Sequence, residues 1–426
     1  MKSWVAAIAM LMLSACATTE GGVNRDIDSL ARDYVRLVLE IDTHEPGYVD
    51  AYYGPKDWRT AAKASPRSLE DLKAAADRLL TQLNGLDSTD KDSIARGRVL
   101  AANVASARFR LDMIDGARAP FVEEAERLFA LRPDLKPLSD YDVALARIEE
   151  LIPGRGALAE RVQLFRSRFA IPADKVDDVM RAAIAECRKR TLAYISLPEG
   201  ESFTMELVKD KSWGAYNYYL GGNHSRIQIN TDLPVSIGQA LVLGCHEGYP
   251  GHHVQGIYDE RAYRAKGWAE YSVAPLYAPA APIKEGGADF GVDLAFPGNE
   301  RLEFERQVLY PLAGLDPATA PAFDALRRAT AELDGALLTI SQMHLDRAVT
   351  REEAIDLVAK YKLVARVAAE QSLDFETEYR SYVINYASGE TLVRDYVDRV
   401  GSDPAARWAA YELVMSTPML PADLKQ

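Results

Sequence analysis

Three of the six histidines in the chain fall within residues 246–253, which read His-Glu-Gly-Tyr-Pro-Gly-His-His. Neutral imidazoles are common ligands of Zn²⁺, and a hydrolytic zinc site also needs an open position for water and a carboxylate that takes up its proton. Glu247 stands directly beside His246 and can supply that carboxylate. The stretch therefore predicts a zinc centre that activates water, with Glu247 as general base.

The spacing of these histidines differs from the HExxH pattern, in which two ligands lie one helical turn apart. On an undistorted helix, six residues turn a side chain about 120° away from His246, and seven move it about 10 Å along the axis. Pro250 lacks a backbone donor and Gly251 permits unusual dihedrals, so we expect the helix to break or bulge here. That interruption favours His246 and His252 as ligands, with His253 as the alternative second ligand or as a residue that supports one.

Short segments upstream of the motif predict the elements that position it. Residues 225–230 alternate polar and apolar side chains between two turn-rich segments, a pattern typical of a β-strand. Ser236 then begins an apolar helical run that continues into His246. The sequence therefore predicts a strand followed by a helix that carries the histidines.

The rest of the chain is dominated by helical patterns. Between residues 27 and 197, apolar residues recur at intervals of three and four, and a later helix has a capping box with Thr350 as N-cap and Glu353 as N3. An aromatic, turn-rich segment at 44–55 either lines a cleft or packs against the core. Because few segments alternate, we predict a mainly α fold.

The composition limits the classes of function. Of 426 residues, 27% are charged and 48% are hydrophobic, so the chain can bury a large core and is not a disordered polyanion. Asp and Glu number 63 against 50 Lys and Arg, a net charge of −13. We expect no nucleic-acid partner, because a phosphate-binding surface needs clustered positive charge.

The N-terminus has the order of a secretory signal, with a positive charge, an apolar run over 4–13 and then small residues. Residues 13–16, Leu-Ser-Ala-Cys, resemble the lipobox of bacterial lipoproteins. The resemblance implies that 1–15 form a signal peptide, that Cys16 is lipidated, and that 16–26 form a tether. We therefore expect a membrane-anchored protein of the bacterial cell envelope, on the periplasmic face of the outer membrane; an ordinary secreted protein is the alternative.

Two further cysteines, Cys187 and Cys245, are too few for a disulfide framework in a chain of this length. We expect both to be buried apolar side chains. Zinc binding by Cys245 is a minor alternative, because it adjoins His246 and adjacent residues on a helix point about 100° apart.

The string His-Glu-Gly-Tyr-Pro-Gly-His-His-Val-Gln resembles the HExxPGHH signature of a large bacterial family, often lipoproteins, in the gluzincin-like zinc metallopeptidase clan. The resemblance implies a large helical two-lobed clamp with a small β edge element next to the active-site helix. It places an N-terminal helical lobe at 27–200 and a catalytic helical lobe with the metal site at 201–426.

The same resemblance implies a third metal ligand. Residues 284–290, Lys-Glu-Gly-Gly-Ala-Asp-Phe, resemble the family's EGWALY element and place Glu285 in the ligand position. The sequence departs from the family at Gly287, where Trp is usual, and at Asp289, where an apolar residue is usual. If Glu285 does not bind the metal, Asp289, one turn along the same helix face, is the nearest substitute.

Two residues of the C-terminal third are candidates for stabilising the transition state. Gln342-Met343-His344 resembles a family stretch that ends in His, and the string Tyr-Ala-Ser-Gly that begins at Tyr386 resembles the family's YxxG element. A Tyr hydroxyl or a protonated His directed at the tetrahedral intermediate would stabilise its oxyanion. The resemblance assigns this role to Tyr386, with His344 as helper; a core-facing Tyr near a helix end is the alternative.

The predicted strand also has a role in the resemblance. In gluzincin-like peptidases, an edge strand next to the active-site helix pairs with the extended substrate. The resemblance thus implies that Arg226, Gln228 and Asn230 bind substrate; a short strand with no ligand is the alternative.

Motif and resemblance together predict a zinc-dependent peptidase that hydrolyses short peptides. Glu247 would take the proton of the attacking water and pass it to the leaving amine. An exopeptidase fits a large helical clamp better than an open endoprotease does, by analogy of fold. Two alternatives stay open: a non-catalytic lipoprotein that binds peptides or envelope partners, and a zinc hydrolase of a non-peptide amide or ester.

Overall fold

The computed structural model describes residues 26–211 and 213–426. Most of these residues are helical, and five short strands make up the β content. The predicted mainly α class with a small β element is confirmed. The predicted signal peptide and Cys16 lie outside the described residues, and the division into lobes at residue 200 stays a prediction.

Helices fill the described chain before residue 200, as the apolar spacing predicts. Asp26, Ser68 and Asp90 are N-caps whose side chains accept hydrogen bonds from the amide three residues on, which stabilises three of the helix starts. The helices are α1 (Ile27–His44), α2 (Lys56–Ala64), α3 (Leu69–Asn84), α4 (Lys91–Ile114), α5 (Phe121–Phe129), α6 (Asp142–Leu151), α7 (Leu158–Ser167) and α8 (Val176–Leu192).

A two-stranded sheet holds the aromatic segment that interrupts the early helices. Strand β1 (Val49–Tyr52) pairs antiparallel with β5 (Val273–Pro275). Val49 pairs with Pro275 and Ala51 with Ala274, so Asp50 is an extra residue at a β-bulge.

A three-stranded sheet follows residue 200 and precedes the histidine motif. It contains β2 (Ser202–Val208), β3 (Ala215–Gly221) and β4 (His224–Asn230) in the order β2-β4-β3. Strand β4 is parallel to β2 and antiparallel to β3. The predicted strand is confirmed, since Ser225, Ile227 and Ile229 are buried while the residues between them are partly exposed. It is the central strand, however, and β2 and β3 form the edges.

The remaining helices carry and surround the motif. Both predicted helix starts are confirmed: Ser236 forms a capping box with Gln239, and Thr350 forms one with Glu353. These helices are α9 (Ile237–Glu247), α10 (His252–Lys266), α11 (Ala281–Ala295), α12 (Glu300–Phe304), α13 (Tyr310–Ala313), α14 (Ala320–Ala331), α15 (Asp334–Leu345), α16 (Arg351–Lys362), α17 (Arg366–Tyr379), α18 (Ile384–Val400) and α19 (Pro404–Ser416).

Two apolar clusters stabilise these elements. The larger cluster joins α1, α3, α4 and α8 to α9, α11 and α18, so it includes residues from both sides of residue 200. The smaller cluster joins α6 and α7 to α14, α15, α16 and α17. Among the described residues, no helix has both the length and the apolar composition needed to cross a bilayer.

Cys187 of α8 and Cys245 of α9 form a disulfide across two packed helices. Both cysteines are fully buried, as predicted, but the expectation that they are unpaired apolar side chains is wrong. The pairing depends on the packing of α8 against α9, which brings the two Cα atoms to 5.5 Å although 58 residues separate them in sequence. The bond therefore links the helix that ends in the histidine motif to the N-terminal helices.

Candidate metal centre

The helix breaks within the histidine motif, as Pro250 and Gly251 predict. Helix α9 ends at Glu247 and α10 begins at His252. The Gly251 amide donates to the carbonyl of Cys245 at 3.1 Å, and a Cβ at Gly251 would lie 1.9 Å from the carbonyl oxygen of His246. Only glycine permits this close backbone approach, which brings the rings of His246 and His252 to 4.6 Å between centroids.

Three side chains converge at this break. Nε2 of His246 lies 3.5 Å from Oε2 of Glu285, and Nε2 of His252 lies 3.6 Å from the same oxygen. The three candidate ligand atoms lie within 4.8 Å of one another. Two imidazoles and one carboxylate form a donor set typical of catalytic zinc, with room for water as a fourth ligand.

Neighbouring side chains fix which nitrogen of each imidazole is available. Nδ1 of His246 donates to Oδ1 of Asp289 at 2.8 Å, and Nδ1 of His252 donates to Oε1 of Gln255 at 3.0 Å. The amide of Gln255 is itself oriented, since its Nε2 donates to the Lys284 carbonyl. Each imidazole therefore has its Nδ1 proton engaged by an oxygen acceptor and presents Nε2 towards Glu285, where a metal ion could replace a proton. Asp289 orients His246 and does not lie in the ligand group as a substitute for Glu285.

Tyr382 completes the support of this group. Its hydroxyl donates to Oε1 of Glu285 at 3.0 Å, which leaves Oε2 directed at the two imidazoles. The contact depends on close packing of α11 against α18, because a Cβ at Gly286 would lie 2.0 Å from the backbone of Gly389. These two glycines thus allow Tyr382, which lies just before α18, to reach Glu285.

His253 is not part of this centre, although the sequence admitted it as a ligand or a supporting residue. It is fully buried, and its Nδ1 and Nε2 contact Oγ of Ser225 at 2.7 Å and Oε2 of Glu201 at 2.9 Å. Adjacent residues of a helix point about 100° apart, so His253 faces the sheet when His252 faces Glu285. The structure thereby favours His252 as the second candidate ligand.

Glu201 anchors the motif from the start of the sheet, and sequence reasoning missed it. Its carboxylate accepts hydrogen bonds from Tyr249 and Arg188 and contacts His253. Burial disfavours its charge, but these three partners outweigh that effect and lower the pKa of Glu201 to about 2. No sequence spacing links Glu201 to the motif, so only the fold could reveal it.

Glu247 has the environment of a general base. Its residue is only 5% exposed, and its carboxylate makes no hydrogen bond or ion pair within the described residues. Burial raises its pKa, which makes the carboxylate a better proton acceptor. Its backbone carbonyl accepts from Nδ2 of Asn217, so strand β3 holds the end of α9 in place.

The candidate ligands shift one another's pKa values in the direction that favours their charged forms. Burial opposes charge on His246 and Glu285, but Asp289 and Glu285 raise the pKa of His246 well above its ordinary value. The two imidazoles in turn hold the pKa of Glu285 well below its usual range. The group therefore favours a positive charge between its nitrogen and oxygen atoms, which a proton or a metal ion can supply.

A cavity of about 840 Å³ opens onto the candidate ligands and Glu247. Its wall includes Tyr48, Asp50 and Tyr53 of the aromatic segment, and Tyr48 and Val49 also belong to the larger apolar cluster, so the segment both lines the cleft and packs against the core. Of the six histidines, His246 and His252 line the cavity. The other histidines make contacts elsewhere. For example, Nε2 of His44 contacts the carbonyl oxygen of Arg67, and Nδ1 of His224 contacts Oγ of Ser202.

The two residues predicted to stabilise an oxyanion lie in different places. Tyr386 lines the cavity, 6.0 Å from Tyr382 between ring centroids, and burial raises its pKa well above the ordinary value. His344 does not line the cavity; it ends α15, with Nε2 3.4 Å from Oγ1 of Thr377. The structure therefore does not bring His344 to the candidate centre, and its role as helper stays a prediction.

The predicted substrate-binding residues do not line the cavity either. Gln228 donates to Glu206, Asn230 donates to the carbonyl of Trp213, and the Arg226 guanidinium stacks on Tyr218. Their strand β4 is central, so both of its edges are already paired. The wall of the cavity includes residues of β3, which is an edge strand; those residues are Ala215, Tyr216, Asn217 and Tyr219. The alternation of polar and apolar residues predicted the strand correctly, but it did not predict that the strand lies at the centre of its sheet.

No protein-family model and no curated protein matches the chain. Among solved structures, the chain is similar to a candidate lipoprotein from Colwellia psychrerythraea, with a TM-score of 0.52 and 15% sequence identity. The match covers 94% of this chain and 75% of the Colwellia chain. A second match is a candidate lipoprotein of unknown function from Shewanella oneidensis, with a TM-score of 0.47 and 13% sequence identity. This match covers 86% of this chain and 74% of the Shewanella chain. The chain therefore shares its fold with the Colwellia protein.

Proposed function

We propose that the protein is a zinc-dependent peptidase that hydrolyses short peptides. The observation that carries the proposal is the convergence of Nε2 of His246, Nε2 of His252 and Oε2 of Glu285 beside the unpartnered carboxylate of Glu247. A binding site without turnover has no need of a proton acceptor next to its metal ligands.

The donor set fits zinc by its chemistry. Each imidazole has its Nδ1 proton bound by an oxygen acceptor, as is usual for zinc ligands, and the carboxylate of Glu285 balances part of the charge. A bound zinc ion would lower the pKa of its water and polarise the carbonyl of the substrate. His246, His252 and Glu285 would hold it.

The other residues of the centre have distinct tasks. Glu247 accepts the proton of the attacking water and returns it to the leaving amine. Tyr386 keeps its hydroxyl proton at neutral pH, as a tyrosine ordinarily does, and its hydroxyl makes no hydrogen bond within the described residues, so it can donate to the developing oxyanion. Tyr382 positions Glu285 and is already engaged by that contact.

Strand β3 supports peptide as the substrate class. It lies at the edge of its sheet and lines the cavity, so its free edge can pair with the backbone of an extended peptide whatever its side chains. The volume of about 840 Å³ is of the size that holds a small ligand. Both features support a short peptide over a folded protein.

The location that we propose is the bacterial cell envelope, with a lipid anchor at Cys16 on the periplasmic face of the outer membrane. The lipobox-like residues 13–16 support the anchor. The disulfide between Cys187 and Cys245 supports an oxidising compartment such as the periplasm. The Colwellia protein, which shares this fold, is itself described as a candidate lipoprotein.

The test measures zinc content and hydrolysis of a panel of short peptides and of simple amides, for the wild type, Glu247→Gln and the control Glu378→Gln. Glu378 is an exposed carboxylate that lines the same cavity. We expect Glu247→Gln to bind zinc and lose hydrolysis, and Glu378→Gln to retain both. Equal hydrolysis by Glu247→Gln would contradict the mechanism. Zinc binding without any hydrolysis by the wild type would favour a binding protein, and cleavage of amides alone would favour a non-peptide substrate.

A further inference from the structure

The wall of the cavity carries an excess of negative charge. Eight carboxylate side chains line it against three cationic side chains, all in the described residues. Each of the three cations already has a carboxylate partner: Arg96 pairs with Glu270, Arg110 with Glu45, and Lys284 with Asp259. The wall therefore has no unpaired cation for a negatively charged ligand, and it retains carboxylates that lack a counter-ion.

Outside the candidate metal centre, two carboxylates of the described wall make no ion pair. One is Glu378, which interacts with the neighbouring Tyr379, and the other is Asp50. It makes no hydrogen bond and no ion pair within the described residues, and it faces the cavity. Asp50 is exposed to the cavity, but the surrounding protein limits its solvation and raises the pKa of its carboxyl to about 6, with the charge of His252 acting against this shift and that of Glu285 adding to it. Asp50 lines the same cavity as His252, Glu285 and Glu247, and its carboxyl interacts electrostatically with all three.

The backbone holds Asp50 in this position. It is the extra residue of the bulge between β1 and β5, a feature that commonly redirects a side chain. The Val49 amide donates to Oδ1 of Asp42 at 3.0 Å, which ties the start of the strand to α1. The backbone at Asp50 is thus held in place before any ligand binds.

Other unpartnered polar atoms of the cavity wall are mostly acceptors. Oδ1 of Asn103 and Oδ1 of Asn217 are buried without a hydrogen-bond partner, and Nδ2 of Asn217 is held by the Glu247 carbonyl. Tyr48 is 1% exposed, and its hydroxyl also lacks a partner. These three atoms are buried and do not reach the cavity, whereas the carboxylate of Asp50 is exposed to it and calls for a positively charged ligand.

We infer that Asp50 binds the free α-ammonium group of the substrate, so that the enzyme is an aminopeptidase. The inference rests on the proposed function, because it takes the scissile bond to lie at the metal centre. An ammonium group bound beside that centre belongs to the residue whose peptide bond is cut. Ammonium donates three hydrogen bonds and carries the positive charge that the wall lacks.

The test compares trialanine, N-acetyl-trialanine and N-acetyl-Lys-Ala-Ala on zinc-loaded protein. Binding is measured by calorimetry in the Glu247→Gln background, with and without Asp50→Asn, and cleavage is measured by mass spectrometry in the wild-type background. We expect trialanine to bind and to be cleaved at its first bond. Asp50→Asn should weaken its binding by about 10- to 100-fold, the usual loss for a hydrogen bond to a charged group. Glu378→Gln, which removes one charge from the same wall, should change it less than threefold.

The outcomes separate the two proposals. Equal cleavage of trialanine and its acetylated form would overturn the role of Asp50 and leave the peptidase standing. Asp50-dependent binding of trialanine without cleavage by the wild type would support the ammonium site and overturn the peptidase. Tight, Asp50-dependent binding of N-acetyl-Lys-Ala-Ala would assign Asp50 to a side-chain ammonium and contradict aminopeptidase action.

Discussion

The hydroxyl of Tyr382 donates to Oε1 of Glu285 at 3.0 Å, while Oε2 of the same carboxylate lies 3.5 Å from Nε2 of His246. One oxygen is thus held by the polypeptide and the other is left for a metal ion. A carboxylate that is held in this way loses less rotational freedom when it binds a metal, because its orientation is set in advance. If the centre binds a metal, as proposed, the C-terminal part of the chain would contribute to the affinity through Tyr382, although the predicted ligands lie far from it in sequence.

Tyr382→Phe should lower zinc affinity by about 10- to 100-fold, since the substitution removes the hydroxyl that orients Glu285 and leaves the ring in place. Competition with a chromophoric chelator measures the change. Tyr379→Phe is the matched control, because Tyr379 lines the same cavity without a hydrogen bond to Glu285. Unchanged zinc affinity in Tyr382→Phe would show that this contact does not organise the centre.

Sequence reasoning identified the parts of the centre that lie close together in the chain. The break at Pro250 and Gly251, the pairing of His246 with His252, and Glu285 as the third member of the group all agree with the structure. It missed Tyr382, because the family resemblance assigned a role only to Tyr386, four residues further along the chain. A hydrogen bond between α11 and the residues before α18 depends on how the helices cross, and that crossing depends on two glycines 103 residues apart in sequence, Gly286 and Gly389.

Asp289→Asn should also lower zinc affinity by about 10- to 100-fold, because an amide is a weaker acceptor than a carboxylate for the Nδ1 proton of His246. The same substitution should permit the other tautomer of His246, which proton and nitrogen chemical shifts of the imidazole report. Asp293→Asn serves as the control, one turn further along α11 and exposed. Equal affinity of the two variants would contradict an orienting role for Asp289.

The strands and the cysteines show where local patterns stop being informative. Alternation in β4 shows which side chains are buried, but the position of a strand within its sheet depends on the pairing of β2 and β3 around it. Substrate contacts were therefore predicted on Arg226, Gln228 and Asn230 of the central strand, whereas the edge strand that lines the cavity is β3. Likewise, the expected burial of Cys187 and Cys245 is confirmed, whereas their bond depends on helix packing.

Replacing both cysteines, as Cys187→Ala with Cys245→Ala, should lower the free energy of unfolding. The disulfide closes a loop of 58 residues, which in the chain-entropy account corresponds to about 4 kcal/mol. Urea unfolding of the oxidised protein and of the double variant measures the difference. Addition of a reductant to the wild type should reproduce most of it and leave the double variant unchanged. An equal response of both proteins to the reductant would show that the effect does not arise from this bond.

Glu376→Gln should make the protein more stable at alkaline pH, through a carboxyl group remote from the metal centre. Glu376 is 1% exposed and accepts a hydrogen bond from Ser341 at 2.7 Å. Burial raises its pKa to about 7, and the favourable charge of Lys362 offsets this only in part. The folded protein therefore holds a proton on Glu376 between the ordinary pKa of a glutamate and pH 7, where the unfolded chain has released it.

The sign of the effect follows from this difference in bound protons. A raised folded-state pKa stabilises the protein at acidic pH, and the contribution is lost as the pH rises towards 7. The glutamine variant does not titrate, so its stability relative to the wild type should increase between pH 5 and pH 8 by up to about 3 kcal/mol. Chemical denaturation at both pH values measures this change, with Glu378→Gln, an exposed site on the same helix, as the control. A stability difference that stays constant between the two pH values would show that Glu376 does not hold its proton in the folded state.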